Sequence, residues 1–542
     1  MSAKGWIIGG GAAAIAVGAG AATWAAVSFF SAGPQAGEAL PADTLAYVSL
    51  DLNPSGKQKI AALKVANKFP ALRKELGLKT TDDVRRKLIE GITHEAGCSI
   101  DYAKDVEPWI GSTVALAVVD KAAPKPVVAL EVGDKAKADK GARALLDCAG
   151  TEDEPLAFAI DGGWMIIGED QATVKDVIAA ADDKSLADDA SFKKWTSETG
   201  DQGILTAYAA PAAPDALLGL VDNLGDSLAG TSGLSGFGQG VESGLAAGSG
   251  FDDICPDGDK NGEAAKSALS GFKGGAATIR FGGKGLEVAF AMDGGTGSST
   301  STELSGVEDL PSNLGAAFGM GFGKNWAEEQ IDALTKVCGE GDQKAKLYQK
   351  ISKVTGLDLP ADLNTLTSKS AQLVVGSDFS FESLMTDENA GLPLALRIKG
   401  DPTAIKAVLA KVEAKVQPQI DAGLGGFFGL SHLFEVSTGT DSATIGLSAD
   451  LREEVAKGGT LGKDASFKAA VPEADKATSV FYLSFGGVKD LVAEGAGGFL
   501  APGDDSSVTS EVDANMAPLD SFGVSGWLDG SVSRGRLVLA VK

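Results

Sequence analysis

The sequence predicts an α+β protein: an N-terminal transmembrane helix, then two related units, each an antiparallel sheet with helices on one face. Three observations carry this. Trp6–Phe30 is a run of 25 residues without a charge. Strand-like runs alternate with helical periodicity through most of the remaining chain. One order of segments is written twice, at offsets between 257 and 275 residues.

A helix rising about 1.5 Å per residue needs roughly 20 apolar residues to cross a hydrocarbon core of about 30 Å. Trp6–Phe30 is long enough with some tilt, although nine Ala and five Gly make it only mildly apolar. Trp6 at one end and Trp24, Phe29 and Phe30 near the other suit the two membrane interfaces. Lys4 is the only Lys or Arg before Lys57. That bias places residues 1–5 in the cytoplasm and everything after residue 30 outside the cell membrane. The competing reading is a cleaved signal peptide, with an apolar core of about 7–15 residues and small residues before the cut. Phe29–Phe30 stands where those small residues are needed, so an uncleaved single-pass anchor is expected.

The 542 residues exceed what one core usually organises, and they carry a net charge of −25. An acidic surface repels phosphate backbones, which argues against a nucleic-acid partner, and it keeps an exported protein soluble. Cys98, Cys148, Cys255 and Cys338 all lie outside the membrane on this topology. An even count in an oxidising compartment favours disulfides. Three pairings are open, and Cys98–Cys148 with Cys255–Cys338 is preferred. The spacings contain no CxxC, which argues against zinc or thioredoxin-like chemistry.

Residues 31–40 read as a linker and 41–293 as the first unit. Thr44–Asp51 is a strand that leaves at Asn53-Pro54-Ser55-Gly56, a turn signal. Helices follow at Lys57–Leu76 and Thr81–Thr93, each with apolar residues at helical spacing. Strands at Thr113–Val119 and Val127–Val132 precede a helix near Asp134–Leu146. A hairpin of Leu156–Ile160 and Trp164–Gly168 turns through Asp161-Gly162-Gly163. Helices near Gln171–Ala181 and Ala187–Trp195 and a strand at Gly203–Ala209 come next. Residues 230–250 are rich in Gly and Ser. Strands Gly275–Phe281 and Leu286–Met292 close the unit, 294–308 reads as a second linker, and 309–542 as the second unit.

That second unit repeats the first. Asp101 and Asp105 match Asp358 and Asp362, and Leu116 and Val118 match Leu373 and Val375. Ala129-Leu130 with Val132 answers Ala395-Leu396 with Ile398, each followed by a helix that starts on an Asp, Asp134 and Asp401. Asp189-Ala190-Ser191-Phe192-Lys193 recurs as Asp464-Ala465-Ser466-Phe467-Lys468. Pro41 before the first strand answers Pro311 before Asn313–Met320. Ser521–Leu528 and Arg534–Val541 stand for the closing pair of strands. An internal duplication explains matches that keep one order.

Pro41-Ala42-Asp43-Thr44-Leu45-Ala46-Tyr47-Val48, Asp51-Leu52-Asn53-Pro54-Ser55-Gly56-Lys57-Gln58 and Val106-Glu107-Pro108-Trp109-Ile110-Gly111 carry a resemblance. Together they resemble an uncharacterised actinobacterial family of single-pass membrane-anchored proteins, a domain of unknown function. The resemblance implies the anchor-plus-ectodomain layout. It implies no catalytic residue, ligand or partner.

Catalytic sets are incomplete. Nucleophilic hydrolysis needs a base beside the nucleophile, yet only His94 and His432 exist. His94 falls past a predicted helix, and His432 starts a predicted strand. Gly319-Met320-Gly321-Phe322-Gly323-Lys324-Asn325 is glycine-rich but lacks the spacing and the following Ser or Thr of a phosphate loop. The repeated Asp pairs read as caps ahead of a strand. Asp257-Gly258-Asp259-Lys260-Asn261-Gly262 opens like a calcium loop, with Asp257, Asp259 and Asn261 as oxygen donors. Ala268 stands at the twelfth position, where a bidentate Glu is needed. Trp109 and Trp164 read as core aromatics. The expectation is therefore a non-enzymatic binding or interaction module with no cofactor, calcium aside. It is anchored by its N-terminal helix and meets an unknown protein or apolar ligand outside the cell. The alternative is a carrier of a lipid or other apolar molecule in the cell envelope.

Overall fold

A computed structural model describes residues 35–51, 56–69, 86, 90, 100–120, 122–149, 156–214, 271–294, 301–337, 343–377, 392–423, 430–488 and 516–542. They fall into two compact units that divide near residue 295. Both are antiparallel sheets with helices, an α+β architecture.

The first unit holds β1 (Ala46–Asp51), β2 (Ile110–Val119), β3 (Lys125–Val132), β4 (Ala157–Asp161), β5 (Trp164–Gly168), β6 (Leu205–Ala209), β7 (Gly274–Phe281) and β8 (Gly285–Asp293). Its helices are α1 (Gly56–Ala66), α2 (Lys135–Ala149), α3 (Gln171–Asp183) and α4 (Ala190–Glu198). The strands run in the order β4-β5-β3-β2-β1-β6-β7-β8. The predicted hairpin of β4 and β5 is present, and β7 pairs with β8 as the closing strands of the unit. Gly162 and Gly163, at φ of 52° and 91°, supply the left-handed backbone that a two-residue turn between β4 and β5 requires.

The second unit holds β9 (Leu314–Gly321), β10 (Ser370–Gly376), β11 (Leu394–Lys399), β12 (Ser437–Thr438), β13 (Ser442–Gly446), β14 (Ser479–Ser484), β15 (Leu519–Asp529) and β16 (Val532–Val541). With them come α5 (Trp326–Val337), α6 (Gln343–Thr355), α7 (Ala361–Leu366), α8 (Pro402–Gly423), α9 (Ala449–Lys457) and α10 (Ala465–Ala470). The strand order is β12-β13-β11-β10-β9-β14-β15-β16. Numbered from its own first strand, this is the order of the first unit.

Individual bonds repeat as well. The Leu186 N–H donates to the Leu40 carbonyl at 2.7 Å, and the Leu461 N–H to the Leu310 carbonyl at 2.8 Å. Leu116 pairs with Val48 across β2 and β1, as Leu373 pairs with Phe318 across β10 and β9. The repeated aspartates satisfy helix starts, whose first N–H groups lack partners within the helix. Asp134 accepts from the Ala136 N–H and Asp401 from the Thr403 N–H. Asp189 accepts from the Phe192 N–H and Asp464 from the Phe467 N–H, both at 2.9 Å. The other pairs close on themselves: Asp105 accepts from the Asp101 N–H, and Asp362 from the Asp358 N–H. Trp109 and Trp164 are buried, the first in a cluster with Ala138, Ala142 and Met165.

Four expectations need correction. Helices cover both faces of the first sheet: α3 lays Val174 and Val177 on the Val127 side, and α2 packs over Leu130 and Ile167. The reason is that β2 and β3 are apolar at successive positions, not alternate ones. In β11 the match of Ala129 to Ala395 slips by two residues. Ala129 faces Ala115 and Arg397 faces Gln372, so Ala129 and Arg397 hold one place, and an even slip keeps each side chain on its face. Residues 301–308, expected as linker, pack into the second unit, with Ser301 and Val307 fully buried. His432 ends a 3-10 turn, Leu430–His432, and its Nδ1 lies 2.8 Å from Glu435.

Candidate functional site

A cleft of the first unit lies where α4 crosses β1, β2, β6 and β7. Its volume is about 330 Å³, at the small end of ligand sites. The Asp189 cap fixes the start of α4 and turns Phe192 onto the sheet, where its ring meets Tyr47 and Tyr208 edge-on at 5.4 and 5.1 Å. The Tyr47 and Phe192 rings form the floor. Burial pushes the Tyr47 hydroxyl up to about 12, against hydrogen bonds from Ser49 and the Gly37 backbone, so the group is neutral at physiological pH.

The walls are hydroxyl-rich. Ser49 and Asp51 come from β1, Thr113 from β2, Thr206 from β6, Thr278 from β7, and Thr196 and Ser197 from α4. Lys193 also borders the cleft, but its Nζ is held 3.1 Å from Asp188. Thr278 shares a hydrogen bond of 2.7 Å with Thr199. Thr113 differs. It follows an irregularity in the β2–β3 register, where one Glu131 oxygen accepts from the Ser112 and Thr113 N–H groups at 2.9 and 3.0 Å. Its hydroxyl is buried, 4 % of the residue being exposed, and has no hydrogen-bond partner among the described residues. Such a hydroxyl costs about 1–3 kcal/mol. Tyr348, Thr444 and Ser525 also carry unpartnered buried hydroxyls and border neither this cleft nor the one described next, whereas Asn364, whose buried Oδ1 likewise lacks a partner among the described residues, borders that second cleft.

At the same register positions the second unit is built differently. Gly319, Gly321, Ser370 and Val480 stand where the first unit has Ser49, Asp51, Thr113 and Thr206. Residues 303–307 lie directly on β9 as a strap. A Cβ on Gly321 would sit 1.8 Å from the Glu303 carbonyl oxygen, and one on Gly319 2.3 Å from Val307. Arg397 nails the strap down, donating to Gln372 Oε1 at 2.7 Å and to the carbonyls of Gly306 and Asp309 at 3.0 and 3.3 Å. Gln372 adds a bond of 2.7 Å to the Ser305 carbonyl. In the first unit Ala129 and Ala115 replace that pair.

The second unit keeps a cleft of about 340 Å³ beyond the strap's start, bordered by Glu303, Lys324, Asn325, Asn364 and Ser368. The glycine-rich stretch singled out in the sequence forms its strand-to-helix turn, with Asn325 at φ 61°. Glu328 and Glu329 occupy the first turn of α5, so the helix end offers no welcome to a phosphate.

Asp257, Asp259, Asn261, His94, Cys98, Cys255 and Cys338 lie outside the described residues. Cys148 falls within α2, with its side chain outside that set. The Trp6–Phe30 run lies outside it too, and among the described residues no helix is long and apolar enough to cross a membrane. Among the described residues no group of three His, Cys, Asp or Glu could hold a metal ion. The sequence reading missed Thr113, Ser49 and the strap. The available signal was the replacement of Ser49 and Asp51 by glycine in the repeat.

A family model described as "Protein of unknown function (DUF3352)" matches residues 7–228, a stretch that includes most of the apolar run and lies in the first unit. Comparison with curated proteins and with solved structures gives no match.

Proposed function

We propose that this chain is a membrane-anchored, extracytoplasmic binding protein without catalytic activity, and that its ligand occupies the α4 cleft of the first unit. The observation that carries this is the divergence of two units with one strand order. Where the second unit lays residues 303–307 on its sheet, the described residues of the first present side chains with hydrogen-bonding capacity at the matching places, one of them buried and without a partner among those residues. Descent of both units from one ancestor explains the shared order; retention of a binding surface in only one explains the difference. Trp6–Phe30 supplies the anchor. The carrier of an apolar molecule is the less favoured reading, since an acyl chain in this cleft would leave its hydroxyls without partners.

A photo-cross-linking residue at Ser197, which is exposed beside the cleft, tests the proposal in the native envelope. The expected result is a discrete adduct at position 197 and none at the control position Ser531, at the tip of the β15–β16 hairpin. Equal labelling at both positions, or none at either, overturns it.

A further inference from the structure

We infer that the outer edge of β4 is an interaction surface for a second copy of this chain, joined β4 to β4 and antiparallel about a two-fold axis. β4 ends the strand order of the first unit and pairs with β5 on one side only. The two-residue turn at Gly162-Gly163 makes Asp161 and Trp164 the first hydrogen-bonded pair of that hairpin. Bonded and non-bonded pairs alternate along an antiparallel ladder. Ala159 with Ile166 and Ala157 with Gly168 are then the other bonded pairs. Phe158 and Ile160 point their N–H and C=O groups away from β5, and no hydrogen bond meets those groups among the described residues.

A row of free N–H and C=O groups at strand spacing is a template for another strand. The common protections of an edge are missing here. Ala157-Phe158-Ala159-Ile160 carries no charge and no proline, and its register with β5 runs without a bulge. The second unit treats the same edge differently. Its β12 pairs with β13 as β4 does with β5, but it is two residues long and polar, and Arg452 donates to Ser437 Oγ at 3.3 Å.

The spacing selects the occupant. Phe158 and Ile160 stand symmetrically about Ala159, so a copy centred there sets each Phe158 against Ile160 of the other copy. Both of those pairs exchange N–H···O bonds, and one patch serves both chains. The side chains suit this register. Phe158 and Ile160 are half-buried on the α2 side, against the cluster of Trp109 and Met165. Ala157 and Ala159 lie on the α3 side, where Gly168, opposite Ala157, approaches Val174. Phenylalanine then meets isoleucine on one face and alanine meets alanine on the other, apolar cross-strand pairs of the stabilising kind. Asp161 falls opposite Ala157 and not opposite another carboxylate, which a chain of net charge −25 requires of a contact with itself. An unrelated extended peptide would have to reproduce this alternation; β4 already carries it.

Ala159→Cys tests the register, because a non-hydrogen-bonded antiparallel pair brings its Cα atoms to about 4.5 Å, within disulfide reach. The full chain is oxidised with copper phenanthroline in its membrane and separated without reductant, with Ser531→Cys at the β15–β16 tip as control. The expected result is a reductant-sensitive dimer at least tenfold more abundant for Ala159→Cys than for Ser531→Cys. Adding Ile160→Pro removes an outward N–H at a place where an edge strand tolerates proline, and is expected to lower the cross-link at least tenfold. Sedimentation of the detergent-solubilised parent chain is expected to give the mass of two copies. Equal cross-linking at 159 and 531, a cross-link that survives Ile160→Pro, or a single-copy mass for the parent overturns the proposal. A disulfide from position 159 to a different polypeptide overturns the second copy as the occupant.

Discussion

Arg397→Ala is expected to destabilise the second unit by roughly 3–5 kcal/mol, the range for stripping one partner from a buried charged network. The guanidinium is 3 % exposed, and burial lowers its pKa against the pull of Asp309 and Asp441. Truncation leaves Gln372 Oε1 and the Gly306 and Asp309 carbonyls without this donor, and it opens space beneath the strap. Urea denaturation followed by tryptophan fluorescence reads the loss. Replacing both partners with apolar groups, Arg397→Met with Gln372→Leu, is expected to recover part of it, because Gln372 Oε1 disappears together with its donor. The Ser305, Gly306 and Asp309 carbonyls lose their side-chain donors, so recovery is incomplete. Full recovery, or a loss below about 1 kcal/mol for Arg397→Ala, would show that the strap is held by packing alone.

Phe467→Ala is the second large effect, about 3–5 kcal/mol for a fully buried phenylalanine. The ring is 0 % exposed, packs among Val307, Leu310, Val480 and Tyr482, and meets the Tyr482 ring at 5.1 Å. It anchors α10 beneath the strap and next to β14, so its removal loosens the same region as Arg397→Ala. The two substitutions share neighbours, and their effects should not add. A double variant whose loss equals the sum would place the two residues in independent structures. In the first unit Phe192→Ala is expected to cost less than Phe467→Ala, since Phe192 borders a cleft that water can enter.

Much of the fold was legible because it is governed by local periodicity. Many strand and helix runs, the Asp161-Gly162-Gly163 turn and the aspartates ahead of α2 and α8 are short-range signals that sit where their residues suggest. Asp189, read inside a helix at Ala187–Trp195, instead caps α4, as Asp464 caps α10. The repeat was legible for a related reason: caps and buried aromatics such as Phe192 and Phe467 tolerate few substitutes. The placement of helices on both sheet faces was not, since apolar runs in β2 and β3 do not say which neighbour covers each side. The strap escaped notice because Ser301–Val307 has the small, polar composition of a linker. Its burial comes from Gly319, Gly321, Gln372 and Arg397, all distant in sequence. Thr113 was invisible for the same reason: its missing partner is a property of the whole cleft.

Native mass spectrometry of the full chain, released into the gas phase from a membrane mimetic, bears most directly on the claim that the first unit binds in its α4 cleft while the matching place in the second is covered by residues 303–307. Parent and Thr113→Val chains are compared with Ser370→Ala. The expected spectrum shows one non-polypeptide mass per chain in the parent and in Ser370→Ala, and a bare chain in Thr113→Val. A bare chain in all three, or an adduct that persists equally in Thr113→Val, would contradict it.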